Sequence, residues 1–390
     1  TILSPELIPS LQFDNTDQLI VPQISYPNSM RMSFPFKEVF DAIDWKHNDY
    51  DIVYSHLPEH TGQLKNLLFN TTDICPTIIG YTHWTEFKEI TNYEYEVGLA
   101  FNIIGLLQMD KCGINTQAQK ELVLKNAKEH FNDDVIKQLD EILEPHYLGW
   151  ETPEYEQQTT DKNIIVYNHR PHTYKNYPWF LEQMDKLYEQ RQDFEVWVPL
   201  ADKKEKDYMT IDKYDRFGYF SKLSSCKVGV CCKQKYEGWA VSATDGMSVG
   251  VPYMFSDDGS YHELADEAGI YYKGSDDFLK LMNKALDDKE FRNEYSEKSL
   301  QRFKDSKWEK QIQRINDTFN TAISNFRPIK ETESYNKIVE FIRTKKSVTK
   351  NEILLHMGWG VRIGFTTYRN RLRNEKDIKF TKNRYEVINK

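Results

Sequence analysis

The most informative segment of the chain is YEGWAVSATDGMSVG, residues 236–250, which is followed at once by Val251 and Pro252. Its second residue is an acid, Glu237, a glycine follows, and the small and apolar residues after them predict a helix. The first turn of a helix offers backbone N–H groups and the positive end of the helix dipole, which suits a diphosphate. A second acid, Asp245, follows eight residues after Glu237, so the pair can accept hydrogen bonds from sugar hydroxyls on either side of that anion.

Short apolar strands alternate with helices on both sides of this stretch. Residues 50–54 and 76–83 are predicted strands, and each runs into a polar end with a histidine, His56 or His83. Residues 163–167 begin a second series of strands and helices. This alternation is typical of a parallel α/β sheet, in which ligands bind at the carboxyl ends of the strands. We therefore predict two α/β units with their binding sites at those strand ends.

The segment around Glu237 resembles the Glu-x7-Glu motif of the retaining glycosyltransferases of family 4 and their relatives, which have the GT-B fold. The Gly250-Val251-Pro252 turn and the His262-Glu263 region resemble the features that follow in the family. In that family the first acid contacts the donor sugar and the second contacts the ribose of the nucleotide. The resemblance implies these roles for Glu237 and Asp245, although Asp is one methylene shorter than the family's Glu. The other implied donor-binding residues are Gly238, Trp239 and Ala240.

Two further matches concern cations and a histidine. Arg170 and Lys175 lie five residues apart, as do an Arg and a Lys of the family, and the resemblance places both on the donor diphosphate. Two cations there would stabilise the charge that develops as the glycosidic bond breaks. His83 matches a family histidine that approaches the donor sugar from the acceptor side, and with Glu237 these residues form the predicted catalytic set. Taken without the resemblance, the same residues also fit a capped helix with incidental acids, solvated loop cations and a structural histidine.

The resemblance implies an α/β fold of the GT-B class with two Rossmann-like domains. We predict an acceptor domain over residues 1–155 and a donor-binding domain over residues 156–326, joined by the polar segment 151–162. Residues 306–309, SKWE, resemble the family's step into the helix that crosses back to the first domain. The first domain is expected to lack its initial βα unit, because the sequence enters at the second strand, residues 1–3, and we therefore expect a fragment.

The last domain, residues 327–390, is predicted as a winged helix-turn-helix. Its helices and the two strands of its wing are predicted over residues 334–343, 349–357, 361–374, 378–381 and 384–388. Thr349 is expected to cap the second helix, with Glu352 three residues later completing a capping box.

Charge is distributed unevenly along the chain. The net charge is −9, yet residues 330–390 hold 15 Lys and Arg against 7 Asp and Glu, a balance of +8 that leaves −17 for the rest. A basic domain on an acidic body favours a polyanionic partner, and a recognition helix in the major groove would fit double-stranded DNA. The alternatives are a winged helix that binds protein, or a solvated basic face. The candidate nucleic-acid contacts are Arg362, Thr366, Arg369, Arg371, Lys379, Lys382 and Arg384.

Composition narrows the classes of protein that the sequence fits. A hydrophobic share of 39% allows real cores, and no apolar run approaches the roughly 20 residues of a membrane span. The start, TILSPELIPS, lacks the features of a signal peptide, and the five cysteines fit reduced thiols in a cytoplasm-like compartment. That compartment would be the host cytoplasm if a phage encodes the protein. We expect the donor to be a nucleotide sugar, with a UDP-sugar as the first candidate. We expect no metal, no other cofactor and no membrane partner.

Together these features predict a glycosyltransferase that moves a sugar, with retention, from a nucleotide sugar to a hydroxymethylated pyrimidine in DNA. The base would be flipped out of the duplex so that its hydroxymethyl oxygen becomes the acceptor. Enzymes of this kind are known in T-even-like phages. The chain resembles those enzymes in its fold and in the reaction that it is predicted to catalyse. Two alternatives stay open: an enzyme that acts on a polysaccharide or lipid-linked glycan, and a DNA-binding regulator whose body senses a sugar nucleotide.

Overall fold

The computed structural model describes residues 2–4, 18–20, 39, 52–71, 77–83, 101–234, 238–324, 333–357, 372, 375–381 and 384–388 of the 390-residue chain. The strands are, in chain order, β1 (Ile2–Ser4), β2 (Gln18–Ile20), β3 (Ile52–Ser55), β4 (Thr77–Thr82), β5 (Lys111–Ile114), β6 (Leu143–Pro145), β7 (Asn163–Val166), β8 (Phe194–Trp197), β9 (Met209–Thr210), β10 (Val228–Cys231), β11 (Tyr253–Ser256), β12 (Gly269–Tyr272), β13 (Ser347–Thr349), β14 (Ile378–Thr381) and β15 (Arg384–Val387).

The helices are α1 (Pro58–Thr71), α2 (Gln117–Ala127), α3 (Asp133–Ile142), α4 (Tyr177–Gln190), α5 (Arg216–Ser224), α6 (Val241–Ser248), α7 (Gly259–Ala265), α8 (Ser275–Asp287), α9 (Lys289–Asp305), α10 (Trp308–Ser324), α11 (Glu333–Lys345) and α12 (Lys350–His356). Short 3-10 turns cover Thr173–Lys175 and Asp266–Ala268. None of the helices in the described part of the chain combines the length and the apolar character that crossing a membrane requires.

The chain divides into two units, one of residues 1–112, 130–142 and 318–390 and the other of residues 113–129 and 143–317. The second unit is built on a six-stranded sheet of order β12-β11-β10-β7-β8-β9, in which every neighbouring pair is parallel. The predicted Rossmann-like sheet is thereby confirmed. The sequence pattern does not predict β9 and β12, the two edge strands, because β9 is only two residues long and only the short 3-10 turn Asp266–Ala268 separates β12 from the preceding helix.

Helices cover both faces of this sheet. Ile165 faces one core, with Phe180 of α4 and Phe278 of α8, while Ile164 and Val166 face another core that includes residues of α5, α6 and α7. Because both faces are buried, the central strands are mostly apolar, as in the fully buried β10. Burial of one large apolar side chain of this kind contributes about 1.5–3 kcal/mol.

Two glycines leave room for the ring of Tyr253, the first residue of β11. A Cβ atom added at Gly229 of β10 would lie 2.3 Å from Tyr253 Cζ, and one at Gly246 of α6 would lie 2.1 Å from its Cε2. The fully buried tyrosine ring therefore occupies space that any larger residue at these positions would need. The close approach of α6 to the sheet depends on this fit.

The second unit also contains β6 and the predicted linker. His146, just after β6, donates its backbone N–H to the carbonyl of Ile114 at 2.7 Å. The predicted linker, residues 151–162, has no helix or strand, but it is fastened to α5. The backbone N–H of Glu156 donates to Ser221 Oγ, and that of Gln158 donates to Ser224 Oγ, each at 2.9 Å.

In the first unit, β3 and β4 pair in parallel, with Val53 opposite Ile78. All six residues of β4 are buried, and β5 lies beside it. Asp110, the residue before β5, fastens that strand to β4. Its N–H donates to the Ile78 carbonyl at 2.7 Å, and its carboxylate accepts from the Ile78 N–H at 2.8 Å. The predicted strands over residues 50–54 and 76–83 are thus confirmed. Strands β1 and β2 form a separate parallel pair.

The C-terminal segment of the first unit has its own small core. Strands β13, β15 and β14 form an antiparallel sheet in that order, and Ile338, Ile342 and Tyr385 are buried against one another. Thr349 and Glu352 form the predicted capping box at the start of α12. The first two predicted helices and the two predicted strands are confirmed, whereas most of the third predicted helix lies outside the described residues. The assignment as a winged helix stays a prediction.

We expect Gly229→Ala to lower the free energy of unfolding by about 1–3 kcal/mol, because the added methyl group overpacks the Tyr253 ring. Urea unfolding followed by circular dichroism measures this. The control is Gly62→Ala in α1, whose added Cβ would meet nothing nearer than Gln108 Cγ at 3.9 Å. That change should leave stability unchanged or raise it by up to about 1 kcal/mol. Equal effects of the two substitutions would contradict the close packing at Gly229.

Candidate functional site

The loop after β7 presents two cations at the carboxyl end of the sheet in the second unit. Arg170 is exposed, and its guanidinium makes no hydrogen bond or ion pair with another described residue. Lys175 is half-buried at the end of a 3-10 turn, with its ammonium 5.4 Å from the centre of the Tyr174 ring. Tyr167 donates its hydroxyl to the Lys175 carbonyl at 3.0 Å, which fixes the turn against the strand. The structure therefore brings Arg170 and Lys175 onto one loop.

His169, beside Arg170, is buried and neutral. Its Nε2 lies 3.0 Å from Cys231 Sγ. Burial, with the nearby Lys175 charge as a smaller cause, lowers the pKa of His169 to about 3. The imidazole therefore adds no positive charge to the loop at neutral pH, and the cationic character rests on Arg170 and Lys175.

The first turn of helix α6 is linked to this loop through Asn168, whose side-chain amide donates to the Ser242 carbonyl. Ala240 is its N-cap, and no side chain of a described residue caps it there. The segment before the helix passes very near α2, since a Cβ at Gly238 would lie 2.3 Å from Gln119 Oε1 and 2.6 Å from Asn115 Nδ2. Only glycine fits at position 238 without movement of these side chains.

Trp239 and Ala240, both predicted donor-binding residues, are buried in the core of the second unit. The Trp239 ring stacks on Tyr147, with ring centres 5.6 Å apart, and its Nε1 has no hydrogen-bond partner among the described residues. Arg314 in turn lies over the Tyr147 ring at 5.1 Å. Trp239 thus packs the base of the segment that leads into α6.

Glu263, for which the sequence suggested no role, binds the N-terminus of α2. Its two carboxylate oxygens accept from the backbone N–H groups of Gln117 at 2.7 Å and Ala118 at 2.6 Å. The Tyr147 hydroxyl donates to the same carboxylate at 3.0 Å. Burial and the Glu263 charge raise the pKa of Tyr147, so this hydroxyl stays protonated. Both carboxylate oxygens are occupied by the N-terminus of α2, and Glu263 therefore fastens α7 to that helix.

A buried hydrogen-bond network joins the cationic loop to α6. Asn168, next to His169, donates its amide to Tyr219 Oη at 2.8 Å and to the Ser242 carbonyl at 2.7 Å. Its amide oxygen accepts from the Tyr253 hydroxyl at 3.0 Å. Since Ser242 lies in the first turn of α6, Asn168 fixes the loop relative to that turn.

Asp245, the second acid of the motif, lies at the end of this network. Tyr219 donates its hydroxyl to Asp245 Oδ2 at 3.1 Å. Burial raises the pKa of Asp245 to about 7, although the Tyr219 hydrogen bond and the charge of Arg216 oppose the rise. The Tyr219 hydroxyl therefore holds the carboxylate, and Asn168 links this tyrosine to the loop that carries Arg170 and Lys175.

His83, the candidate from the first unit, is exposed at the end of β4. Its ring lies parallel to that of His56, with ring centres 5.9 Å apart, and 4.6 Å from the Tyr81 ring. Burial, and to a smaller extent His83, lower the pKa of His56. The structure thus gathers both strand-end histidines at the carboxyl edge of β3 and β4.

Several predicted site residues lie outside the described residues, and two others differ in their surroundings. Those outside are Glu237, Arg362, Thr366, Arg369, Arg371 and Lys382. Lys379 is exposed on β14, while Arg384 donates to the hydroxyl and carbonyl oxygens of Ser347. Arg384 therefore makes hydrogen bonds within the C-terminal segment itself. Among the described residues, no group of three His, Cys, Asp or Glu side chains is arranged to hold a metal ion.

The raised pKa of Asp245 predicts a pH-dependent stability. Between the ordinary value of 3.8 and about 7, the folded protein binds a proton that the unfolded chain has released, so stability falls as pH rises through this window. Asp245→Asn removes the titrating group and should flatten this fall, which is at most about 1.4 kcal/mol per pH unit. Urea unfolding of both proteins across the window measures the slopes. Parallel slopes would show that Asp245 titrates in the folded protein as it does in the unfolded chain.

Comparison with known proteins assigns the fold. No protein-family model matches the chain, and no curated protein matches its sequence. Among solved structures, sucrose-phosphate synthase from Thermosynechococcus elongatus is similar over 79% of this chain and 83% of that one, with a TM-score of 0.59 and 14% identity. HepE from Anabaena, solved with UDP-glucose, is similar over 70% and 79%, with a TM-score of 0.54 and 10% identity.

TarM is also similar in structure, with a TM-score of 0.54 and 14% identity. The match covers 69% of this chain and 54% of TarM, so the chain spans about half of that protein's length. A TarM variant from S. aureus was solved with fondaparinux, alpha-GlcNAc-glycerol and UDP. All of these neighbours are GT-B glycosyltransferases, and the predicted GT-B fold of two Rossmann-like domains is confirmed.

Proposed function

We propose that the protein is a glycosyltransferase that uses a nucleotide sugar as donor. The observation that carries this proposal is the loop that holds Arg170 and Lys175, fixed by Asn168 to the first turn of α6. Two cations and the positive end of a helix form a site for a diphosphate, and the GT-B fold is the setting in which its neighbours bind UDP or UDP-glucose.

In this proposal each part of the site has a defined task. Arg170 and Lys175 bind the diphosphate and stabilise the negative charge that grows on it as the bond to the sugar breaks. Asp245 accepts hydrogen bonds from the ribose, and Glu237 accepts them from the sugar. Buried Trp239 and half-buried Glu263 hold the segments that carry these residues. His83 acts from the acceptor side. Retention of the anomeric configuration follows from the resemblance to the retaining family.

For the acceptor we propose a hydroxymethylated pyrimidine in double-stranded DNA. The support is electrostatic, because the last 61 residues carry a balance of +8 on a body of −17. Exposed Lys379 on β14 is one described cation of that segment. A glycan acceptor is the second candidate, favoured by the TarM neighbour that was solved with fondaparinux and alpha-GlcNAc-glycerol.

We expect Arg170→Ala and Lys175→Ala each to remove about 2–4 kcal/mol of transition-state stabilisation, because each deletes one group that stabilises developing charge. The ratio kcat/KM for transfer or hydrolysis of the nucleotide sugar measures the loss. Lys162→Ala is the matched control, since this exposed lysine pairs with Glu195 at 3.2 Å on the same unit. Turnover close to that of the unchanged protein in both loop variants would refute the diphosphate assignment.

The acceptor is tested by offering the full chain a panel of nucleotide sugars together with DNA that contains hydroxymethylated pyrimidines, or with a glycan. We expect mass spectrometry of the digested nucleosides to show a hexose or related sugar on the modified base, and NMR to show an α-linkage from an α-linked donor. Unmodified DNA is the control. Transfer to the glycan alone would replace the DNA proposal by the second candidate, and a β-linked product would contradict retention.

A further inference from the structure

Tyr219 lies on α5, a helix that carries none of the residues to which the sequence assigned a task. The side chain is half-buried, and its ring lies against Trp197, with ring centres 5.8 Å apart. This contact orients the ring so that its hydroxyl reaches Asp245 Oδ2 at 3.1 Å. Tyr219 therefore contacts α6, the helix that carries Asp245, although it lies 26 residues before Asp245 in the sequence.

The direction of the hydrogen bonds at this hydroxyl is determined by its neighbours. Asn168 donates to Tyr219 Oη at 2.8 Å, which leaves the single proton of the hydroxyl for the Asp245 carboxylate. Burial, followed by the Asp245 charge, raises the pKa of Tyr219, so the hydroxyl remains a donor at neutral pH. The contact is thus a charge-assisted hydrogen bond whenever Asp245 is ionised.

The consequence concerns the second carboxylate oxygen of Asp245. Oδ2 is held by Tyr219, and Oδ1 receives no hydrogen bond from another described side chain. The Asp245 side chain is half-buried. Without the hydrogen bond from Tyr219, rotation about its side-chain bonds would change where Oδ1 points. One oxygen held by a tyrosine leaves the other in a fixed place, and a fixed carboxylate oxygen is suited to accept from a sugar hydroxyl.

We propose that Tyr219 is a positioning residue for the nucleotide, which holds Asp245 so that its second oxygen accepts a hydrogen bond from a ribose hydroxyl of a nucleoside diphosphate. This inference rests on the proposed function, because it requires that a nucleoside diphosphate binds at Arg170, Lys175 and α6. It differs from a purely structural role, in which Tyr219 would support folding without affecting which ribose is preferred.

The test compares the dissociation constants of UDP, 2′-deoxy-UDP and 3′-deoxy-UDP by calorimetry, for the unchanged chain and for Tyr219→Phe. Loss of a hydrogen bond to a charged group weakens binding about tenfold or more, so the unchanged chain should prefer UDP over one deoxy form by that factor. Tyr219→Phe should reduce this preference to about twofold, since the carboxylate is no longer held. The ratio is taken within each variant, so a fraction of unfolded protein cancels.

The matched control is Tyr208→Phe. Tyr208 also donates its hydroxyl to an aspartate, Asp185, at 2.8 Å in the same unit, but it lies outside the network of Asn168. This variant should keep the full preference for UDP. An unchanged preference in Tyr219→Phe would overturn the positioning role. No preference in the unchanged chain would overturn it together with the ribose contact of Asp245. In both cases, binding of UDP would leave the use of a nucleotide-sugar donor in place. If UDP, GDP and ADP all fail to bind the unchanged chain, the proposed function itself fails and the inference with it.

Discussion

One buried amide, that of Asn168, holds together the parts of the second unit on which the proposed chemistry depends. Its nitrogen donates to Tyr219 and to the backbone of α6, and its oxygen accepts from Tyr253. A buried polar group without a partner costs about 1–3 kcal/mol, so departures from this arrangement are unfavourable. The loop after β7 therefore keeps one position relative to α6, and Arg170 and Lys175 keep theirs with it.

The network in turn depends on packing. The Tyr253 hydroxyl can reach Asn168 because Gly229 and Gly246 leave space for the tyrosine ring between β10 and α6. Gly238 permits a similarly close approach to Asn115 and Gln119 before the same helix. Small residues thus set how near α6 comes to the sheet and to α2, and the polar contacts then determine its register.

Burial also sets the charge of the site. His169 is kept neutral by burial, although it stands beside Arg170. Asp245 has its pKa raised to about 7, so part of its negative charge is lost near neutral pH. The charge that the loop itself carries is therefore that of Arg170 and Lys175, which suits an anionic ligand although the body of the protein is acidic overall.

Features that depend on near neighbours in the chain can be predicted from the sequence alone. Apolar strands bounded by polar loops indicate the parallel sheet, and the Thr349–Glu352 capping box marks the start of α12. A spacing of five positions places Arg170 and Lys175 on the same loop. Tertiary structure alone decided the tasks of Tyr219 and Glu263. Their partners lie far away in sequence, 51 residues between Asn168 and Tyr219 and 146 between Gln117 and Glu263, and no local periodicity encodes such contacts. Whether a polar side chain meets solvent, a ligand or another buried group is settled only when the sheet and its helices pack.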